Sequence, residues 1–349
     1  MFWKKKQFWG TLIAVLLLAY CVKDIKISEV QLLLKRLDFL MLFLAIAGAY
    51  LFIIARALRW KLMAEQQKKI TVMQALSLYG AGQIVNMAMP VLTGQVGRMF
   101  LFSKKGGFKK TFIFSTIVLE ILFDAIALIA FLVLISLAFA FPDRYRSLGI
   151  VIATITILLL TLLYLMLHYK DRIDNFNRSK LRHKWPGTYI GIRKFLGSFT
   201  KGINMLKSSQ HMLGSIAYSL MAWVMHTLSI YFLFKSFGFD LPVATAATVM
   251  IINTIALMIP ITPGNAGTFE IAVSRSLTAF AIGRSDAVLF ALALHLIDFL
   301  PILTLGLYFM RSEHVSIKEI KREQQDSDFH PRFTDDIDLI EDDQKRKIV

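Results

Sequence analysis

A single cysteine, Cys21, stands in a chain of 349 residues, which excludes an intramolecular disulfide and any CxxC metal or redox site. Only 18% of the residues are charged while 56% are hydrophobic, a balance too apolar for an ordinary soluble domain. The 7 histidines form no HExxH motif and no compact cluster with cysteine, so a zinc site has no support and neither metal nor cofactor is expected. No Lys-Ser/Thr follows Gly94-Gln95-Val96-Gly97 or Gly264-Asn265-Ala266-Gly267 at P-loop spacing, and no soluble βα unit surrounds either stretch. The stretch Leu17-Leu18-Ala19-Tyr20-Cys21 lacks the small residue a lipoprotein cleavage site needs before its cysteine, and no A-x-A follows. It therefore reads as part of an uncleaved anchor.

What the chain has instead is long apolar runs. A hydrocarbon core of about 30 Å needs about 20 helical residues, and that length divides the chain into six spans: Phe8 to Val22, Phe39 to Leu58, Phe112 to Phe141, Leu148 to Tyr169, Met212 to Phe237 and Ala287 to Met310. Two more regions, Val72 to Phe102 and Leu241 to Phe280, are apolar but broken near their middles by proline and glycine. Short amphipathic helices are expected along the membrane surface at Ile25 to Leu37 and Tyr189 to Leu206.

The formal charge is +16, but residues 311–349 hold 8 Lys/Arg against 11 Asp/Glu, so the basic excess lies earlier in the chain. Basic loops beside apolar spans are topology signals and lipid contacts, and no groove-reading motif accompanies them, so nucleic acid is not an expected partner. Residues 170–211 carry ten Lys/Arg against two Asp, and the chain opens Met1-Phe2-Trp3-Lys4-Lys5-Lys6; both should be cytoplasmic. Following the chain, the Phe39 span emerges inside at Arg56-Ala57-Leu58-Arg59-Trp60-Lys61. The next two form a hairpin around Pro142-Asp143-Arg144, and both termini lie in the cytoplasm. The first broken region then starts and ends inside, and the second starts and ends outside.

The two breaks share a pattern. Pro90-Val91-Leu92-Thr93-Gly94-Gln95-Val96-Gly97 and Pro260-Ile261-Thr262-Pro263-Gly264-Asn265-Ala266-Gly267 each have glycine at +4 and +7 from proline, with an amide side chain at +5. Downstream, Leu119-Glu120-Ile121-Leu122-Phe123-Asp124 resembles Leu294-His295-Leu296-Ile297-Asp298. This is the pattern of an inverted-topology repeat, whose broken helices expose backbone to a polar site near the midplane. The competing reading makes each region two short full spans joined by a Pro-Gly turn. The expected fold is an all-α polytopic membrane protein, with about six full spans plus two re-entrant helical hairpins. A transmembrane domain at 1–310 contains pseudo-repeats of about 39–141 and 212–310 and the basic linker 170–211. The tail, 311–349, is polar, acidic and expected to be disordered and cytoplasmic, with a short partner-binding motif as its alternative use.

Ionisable residues inside spans are costly and face a partner or a cavity. Glu120 with Asp124, and His295 with Asp298, each share a helix face; Arg98 follows the first loop, Glu270 the second, and Arg275 lies five beyond Glu270. Together they would form a compensated cluster that either lines a transport site or fixes helix register. His226, alone in an apolar span, reads as hydrogen-bonded to a neighbour rather than as a metal ligand.

Arg56-Ala57-Leu58-Arg59-Trp60, Pro90 through Gly94-Gln95 to Arg98, Leu119-Glu120 with Asp124, and above all Pro263-Gly264-Asn265-Ala266-Gly267-Thr268-Phe269-Glu270 resemble the transmembrane region of lysylphosphatidylglycerol synthases and their free-standing flippase-like relatives. The likeness runs over about residues 8–310. Gln95 stands where the family has Glu, Ile121 where an Arg often follows the Glu, and Asn265 where a Gly is usual; a different lipid follows if substrate handling uses the absent Glu and Arg. The resemblance implies a domain that moves or presents an amphiphilic lipid, an anionic or aminoacylated phospholipid or a polyprenyl lipid, across the cytoplasmic (inner) membrane. The candidate substrate-binding residues are Arg56, Arg59, Pro90, Gly94, Gln95, Arg98, Glu120, Asp124, Asn253, Pro263, Gly264, Asn265, Gly267, Thr268, Glu270, His295 and Asp298. Only 39 residues follow Met310, too few for the soluble aminoacyl-transfer domain, so no enzyme activity is expected. The alternatives are a membrane scaffold for envelope glycolipid or polyprenyl-linked glycan synthesis and, as a minority reading, an intramembrane transferase using Glu120 and Asp124.

Overall fold

The computed structural model describes residues 6–88, 93–138, 209–257 and 262–312, with isolated positions between 154 and 172. Pro90, Pro260, Ile261, the turn at Pro142-Asp143-Arg144, most of the 148–169 span, the 189–206 helix, most of the basic linker and the tail from 313 lie outside the described residues.

Every regular element among the described residues is helical: α1 (Lys6–Val22), α2 (Ile27–Arg36), α3 (Phe39–Ala64), α4 (Val72–Ala88), α5 (Thr93–Gly106), α6 (Lys110–Ala138), α7 (Ser209–Ser236), α8 (Val243–Ala256), a 3₁₀ turn (Pro263–Asn265), α9 (Thr268–Thr278) and α10 (Arg284–Ser312). Four of these, α3, α6, α7 and α10, are long and apolar enough to cross a membrane. With no water to satisfy backbone groups in hydrocarbon, a continuous helix bonds its own, and the Leu, Phe and Ile of these stretches keep large exposed surfaces, as at Phe43, Leu51, Leu296 and Leu307. Asp38 caps α3 by accepting from the Leu40 and Met41 amides at 2.9 and 3.1 Å. The exposed α2 buries nothing and carries Glu29 in its first turn and Lys35 and Arg36 in its last, each sign where the helix dipole favours it.

The two broken regions fold as pairs of short helices, 17 and 14 residues in the first and 14 and 11 in the second. At about 1.5 Å per residue none reaches about 30 Å. In the first pair the neighbours run in opposite senses: a Cβ on Gly94 would meet the Asn86 carbonyl at 2.6 Å, one on Gly82 would meet Phe102 and Arg98, and one on Gly106 lies by Leu78. α4 and α5 are therefore antiparallel, and glycine is needed at 94 because the chain doubles back on itself there.

α3 and α7 pack along their whole lengths, also antiparallel. Asp38 pairs with Ser236, the Ser229 hydroxyl donates to the Ala45 carbonyl at 2.7 Å, and Arg59 reaches Ser219. Exchange α3 with α7, α4 with α8, α5 with α9 and α6 with α10, and the packed pairs among these eight helices map onto one another, α3/α7 onto itself. Thus α4 lies on α10 as α8 lies on α6, α5 on α6 as α9 on α10, and α3 on α10 as α7 on α6. The apolar core divides the same way. One cluster joins α7, α8, α9 and the early part of α10 to Ala127 and Leu128 of α6; the other joins α4, α5 and the early part of α6 to the late part of α10 and of α3.

Arg56-Ala57-Leu58-Arg59-Trp60-Lys61 lies within α3, which continues to Ala64, and Arg59 and Trp60 are fully buried. Trp60 packs edge-on to Phe102 and Phe108, so this segment is interior.

Candidate functional site

A layer of charged side chains crosses the fold between the two apolar clusters. Along α6 it falls between Ile117 and Ala127, and along α10 it lies around His295 and Asp298, ahead of Ile302. Asp124 and Asp298 are each the fifteenth residue of a 29-residue helix, and Arg56 and His226 are each the eighteenth residue of α3 and α7.

In the first half, Arg98 of α5 grips Glu120 of α6 in a two-point fork, Nη1 donating to Oε2 at 3.0 Å and Nη2 to Oε1 at 2.5 Å. Both residues are buried, and the guanidinium also lies 4.9 Å over the Tyr79 ring and 5.0 Å over Phe102. One turn further along α6, Asp124 accepts from two arginines of α3. Arg59 Nη1 donates to Oδ1 at 2.5 Å and to the Ser219 hydroxyl at 2.8 Å, while Arg56 Nη2 bonds Oδ2. A planar guanidinium suits such buried two-point contacts better than an ammonium would.

The second half repeats this plan with different chemistry. Glu270 of α9 pairs with His295 of α10, Oε1 lying 2.6 Å from Nδ1, while its Oε2 accepts the Gly267 amide at 2.7 Å and so caps the start of α9. His295 Nε2 lies 3.1 Å from the Gly264 carbonyl. A carbonyl only accepts, so that contact needs a proton on Nε2, and the Glu270 contact needs a second proton between Nδ1 and Oε1. The pair therefore makes both bonds only when it holds two protons. Phe269 stacks on the imidazole at 4.2 Å and Phe299 flanks it at 4.3 Å, fixing the ring. One turn along α10, Asp298 meets His226 of α7 at 3.3 Å. His226 is thus the hydrogen-bonded residue the sequence suggested.

In each half, then, the last helix carries two polar residues a turn apart; the first binds the short broken helix and the second binds the eighteenth residue of the first helix. The halves touch through Phe52, whose ring stacks on His226 at 4.7 Å and lies 5.1 Å from the Arg56 guanidinium. The second loop reaches the first half directly: a Cβ on Gly264 would stand 3.1 Å from Phe299 and 3.6 Å from Met87, at the end of α4.

The loop itself explains a sequence departure. Gly264, Asn265 and Gly267 have φ of 60°, 58° and 86°, a region where asparagine is the best-tolerated residue after glycine. Asn265 therefore preserves a conformation that a Gly would adopt. Thr268 donates to the Asn265 carbonyl at 2.9 Å and Thr262 to the Ala266 carbonyl at 2.8 Å, closing the turn after Pro263. Ile121 is 51% exposed on the outer face of α6, turned away from the charged layer.

Several predicted residues gather here: Arg56, Arg59, Arg98, Glu120, Asp124, Glu270, His295 and Asp298 form the layer, with Gly264 beside it. Gln95, Asn253 and Asn265 each hold a buried amide oxygen with no hydrogen-bond partner among the described residues. Gly94 serves the close helix approach, and Pro90 is not described. Arg275 is a correction, because it is exposed on the far flank of α9, beside Arg284 and Tyr20, and takes no part in the layer. Sequence reasoning missed Tyr79, Ser219, Trp223 and Phe52; none is ionised in isolation and only Tyr79 stands close to a Pro-Gly break. Among the described residues no group of three or more His, Cys, Asp or Glu is arranged to hold a metal ion.

Membrane-length helices, two pairs of short helices and a buried charged layer together define a polytopic membrane protein. The chain belongs to the lysylphosphatidylglycerol synthase TM region family, whose profile matches residues 7–306. It is 25% identical over 241 residues to a UPF0104 membrane protein of Methanocaldococcus jannaschii, covering 69% of this chain and 99% of that one. It is also 30% identical over 80 residues to a UPF0104 membrane protein of Methanothermobacter thermautotrophicus, covering 23% and 24% of the two chains. No solved structure matches significantly.

Proposed function

We propose that this protein moves an anionic lipid between the leaflets of the cytoplasmic membrane, with the charged layer receiving the headgroup and the acyl chains staying in the bilayer. The observation that carries this reading is the charge count in the first half. Among the described residues Arg56, Arg59 and Arg98 pair only with Glu120 and Asp124, which leaves one positive charge in excess there. Burying such a charge is expensive unless an anion visits it. The Nε groups of all three arginines, the Tyr79 hydroxyl and the Trp223 Nε1 have no acceptor among the described residues, and these are the donors a phosphate would use.

The antiparallel α3 and α7, with the packed pairs among α3–α10 mirrored, support a two-fold axis in the membrane plane. On that reading the α4/α5 pair dips in from the cytoplasm and the 3₁₀ turn with α9 from outside. Unwound backbone near the midplane faces the cavity, and rocking of one half against the other exposes it to each leaflet in turn. Gly264 lies beside Met87 of α4, so the loop of the second half meets a helix of the first. Both termini are cytoplasmic in this arrangement, and no covalent chemistry is required.

The test is leaflet exchange in proteoliposomes, measured with fluorescent phosphatidylglycerol, its lysyl ester, a polyprenyl phosphate and a neutral phosphatidylcholine. Accelerated exchange of an anionic lipid, lost in Arg98→Met/Glu120→Leu, supports the reading. Exchange no faster than in empty vesicles for all the lipids refutes it.

A further inference from the structure

A cleft of ≈ 210 Å³ opens away from the charged layer, between the end of α1, the outer flank of α9 and the start of α10. Tyr20, Ser274, Arg275, Thr278, Arg284 and Val288 line it. Three helix ends meet here: α1 stops at Val22, α9 at Thr278, and α10 begins at Arg284. The neighbouring α1 surface, Val15 and Leu16, is exposed and apolar, and Lys23 and Asp24 follow at once. The cleft thus lies where apolar helix gives way to charge, the level of lipid headgroups.

Its electrostatics are unbalanced. Arg284 bonds Asp24 at 3.1 Å and lies 5.5 Å over the Tyr20 ring, with Lys23 at 5.0 Å from the same ring. Arg275 has no carboxylate within salt-bridge distance among the described residues. Its place in the last turn of α9 suits the helix dipole, but Arg284 opens α10, the end where a cation is disfavoured. Glu270, whose charge reaches Cys21 in the cleft wall, is paired with His295; setting it aside and counting Asp286 in the first turn of α10, three cations meet two carboxylates among the described residues. The hydroxyls of Ser274 and Thr278 donate to the Glu270 and Arg275 carbonyls, which leaves the two guanidiniums as the cationic donors that the cleft offers a ligand. An apolar wall, an open lipid-facing side and a surplus guanidinium suit one chemistry.

We propose that this cleft binds a phosphate group, as an anionic phospholipid presents it, between Arg275 and Arg284. Asp24 competes for Arg284, so the occupant draws that guanidinium away from its carboxylate. The site is separate from the charged layer and binds whether or not lipid crosses between leaflets. Because Arg275 and Glu270 share α9, an occupant here touches the helix whose other end holds the His295 pair.

The experiment is native mass spectrometry of the detergent-purified full-length protein, titrated in separate arms with phosphatidylglycerol, phosphatidylcholine and inorganic phosphate. Wild type is expected to retain phosphatidylglycerol over phosphatidylcholine. Arg275→Gln/Arg284→Gln should weaken retention about tenfold and Asp24→Asn should strengthen it severalfold, a gain that a purely structural role for the arginines would not give. Equal capture of inorganic phosphate, sensitive to the same variants, supports the site and makes free phosphate its ligand. Should the double variant fail to fold, Asp24→Asn alone decides, and unchanged retention in that variant overturns the proposal. So does retention by a folded double variant equal to wild type. Neither outcome depends on leaflet exchange, so failure here and failure of the transport reading are separable.

Discussion

The first half of the charged layer is built from guanidinium and carboxylate, the second from imidazole and carboxylate. Arg98 and Glu120 occupy the same place in one half as Glu270 and His295 do in the other, and Arg56 with Asp124 the same place as His226 with Asp298. A guanidinium keeps its charge at any physiological pH, whereas an imidazole can lose it. One plan, used twice, therefore gives a half whose charge is permanent and a half whose bonds depend on a proton. On the transport reading proposed above, the permanent half is the one that holds the anion.

The largest effect should come from breaking the permanent half. Glu120→Leu strands a buried Arg98 and should lower stability by about 3–5 kcal/mol in thermal or denaturant unfolding. Arg98→Met/Glu120→Leu should recover most of that loss, because apolar replacement of a whole buried pair is often neutral. Recovery of stability without recovery of leaflet exchange would mark the pair as part of the site. Recovery of both would reduce it to a packing device.

A smaller effect is expected from Glu270→Gln, about 1–3 kcal/mol, since the Gly267 cap can persist while the His295 contact weakens. Losses of equal size in Glu120→Leu and Glu270→Gln would erase the distinction between the halves.

The smallest effects lie in the loop backbones. Asn265→Ala forces a Cβ without a compensating amide into φ 58° and should cost about 1 kcal/mol, whereas Asn265→Gly should be nearly neutral. Gly94→Ala should cost more than Asn265→Ala, because its Cβ would fall 2.6 Å from the Asn86 carbonyl with backbone on both sides. Unfolding midpoints of the three variants rank them directly.

Much of this comparison was legible in the sequence, for a physical reason. Charges within apolar runs stand out, so Glu120 with Asp124 and His295 with Asp298 could be matched before any fold was known, and the two Pro-Gly breaks announced helices that could not span. Partners far apart in sequence were not legible. Asp124 lies 65 residues from Arg59, and Asp298 lies 72 from His226, so the residues alone placed Arg59 at the end of a span and left the partner of His226 unnamed; only the resemblance brought Arg59 into the site. Arg275 misled in the opposite way, since five residues from Glu270 on a helix turns a side chain away from its neighbour's face. The conformation of Asn265 was hidden as well, because a departure in letters from the family pattern sits at a positive φ that asparagine tolerates.

The inverted relation of the halves is the claim on which the rest depends, and cysteine accessibility tests it most directly. In a Cys21→Ser background, single substitutions Gln95→Cys and Asn265→Cys would be labelled with a membrane-impermeant maleimide from one side at a time. The account predicts that Gln95→Cys reacts from the cytoplasmic side and Asn265→Cys from the outer side. Labelling of both from the same side would contradict it, whereas labelling of each from the opposite side would reverse the orientation and keep the halves inverted.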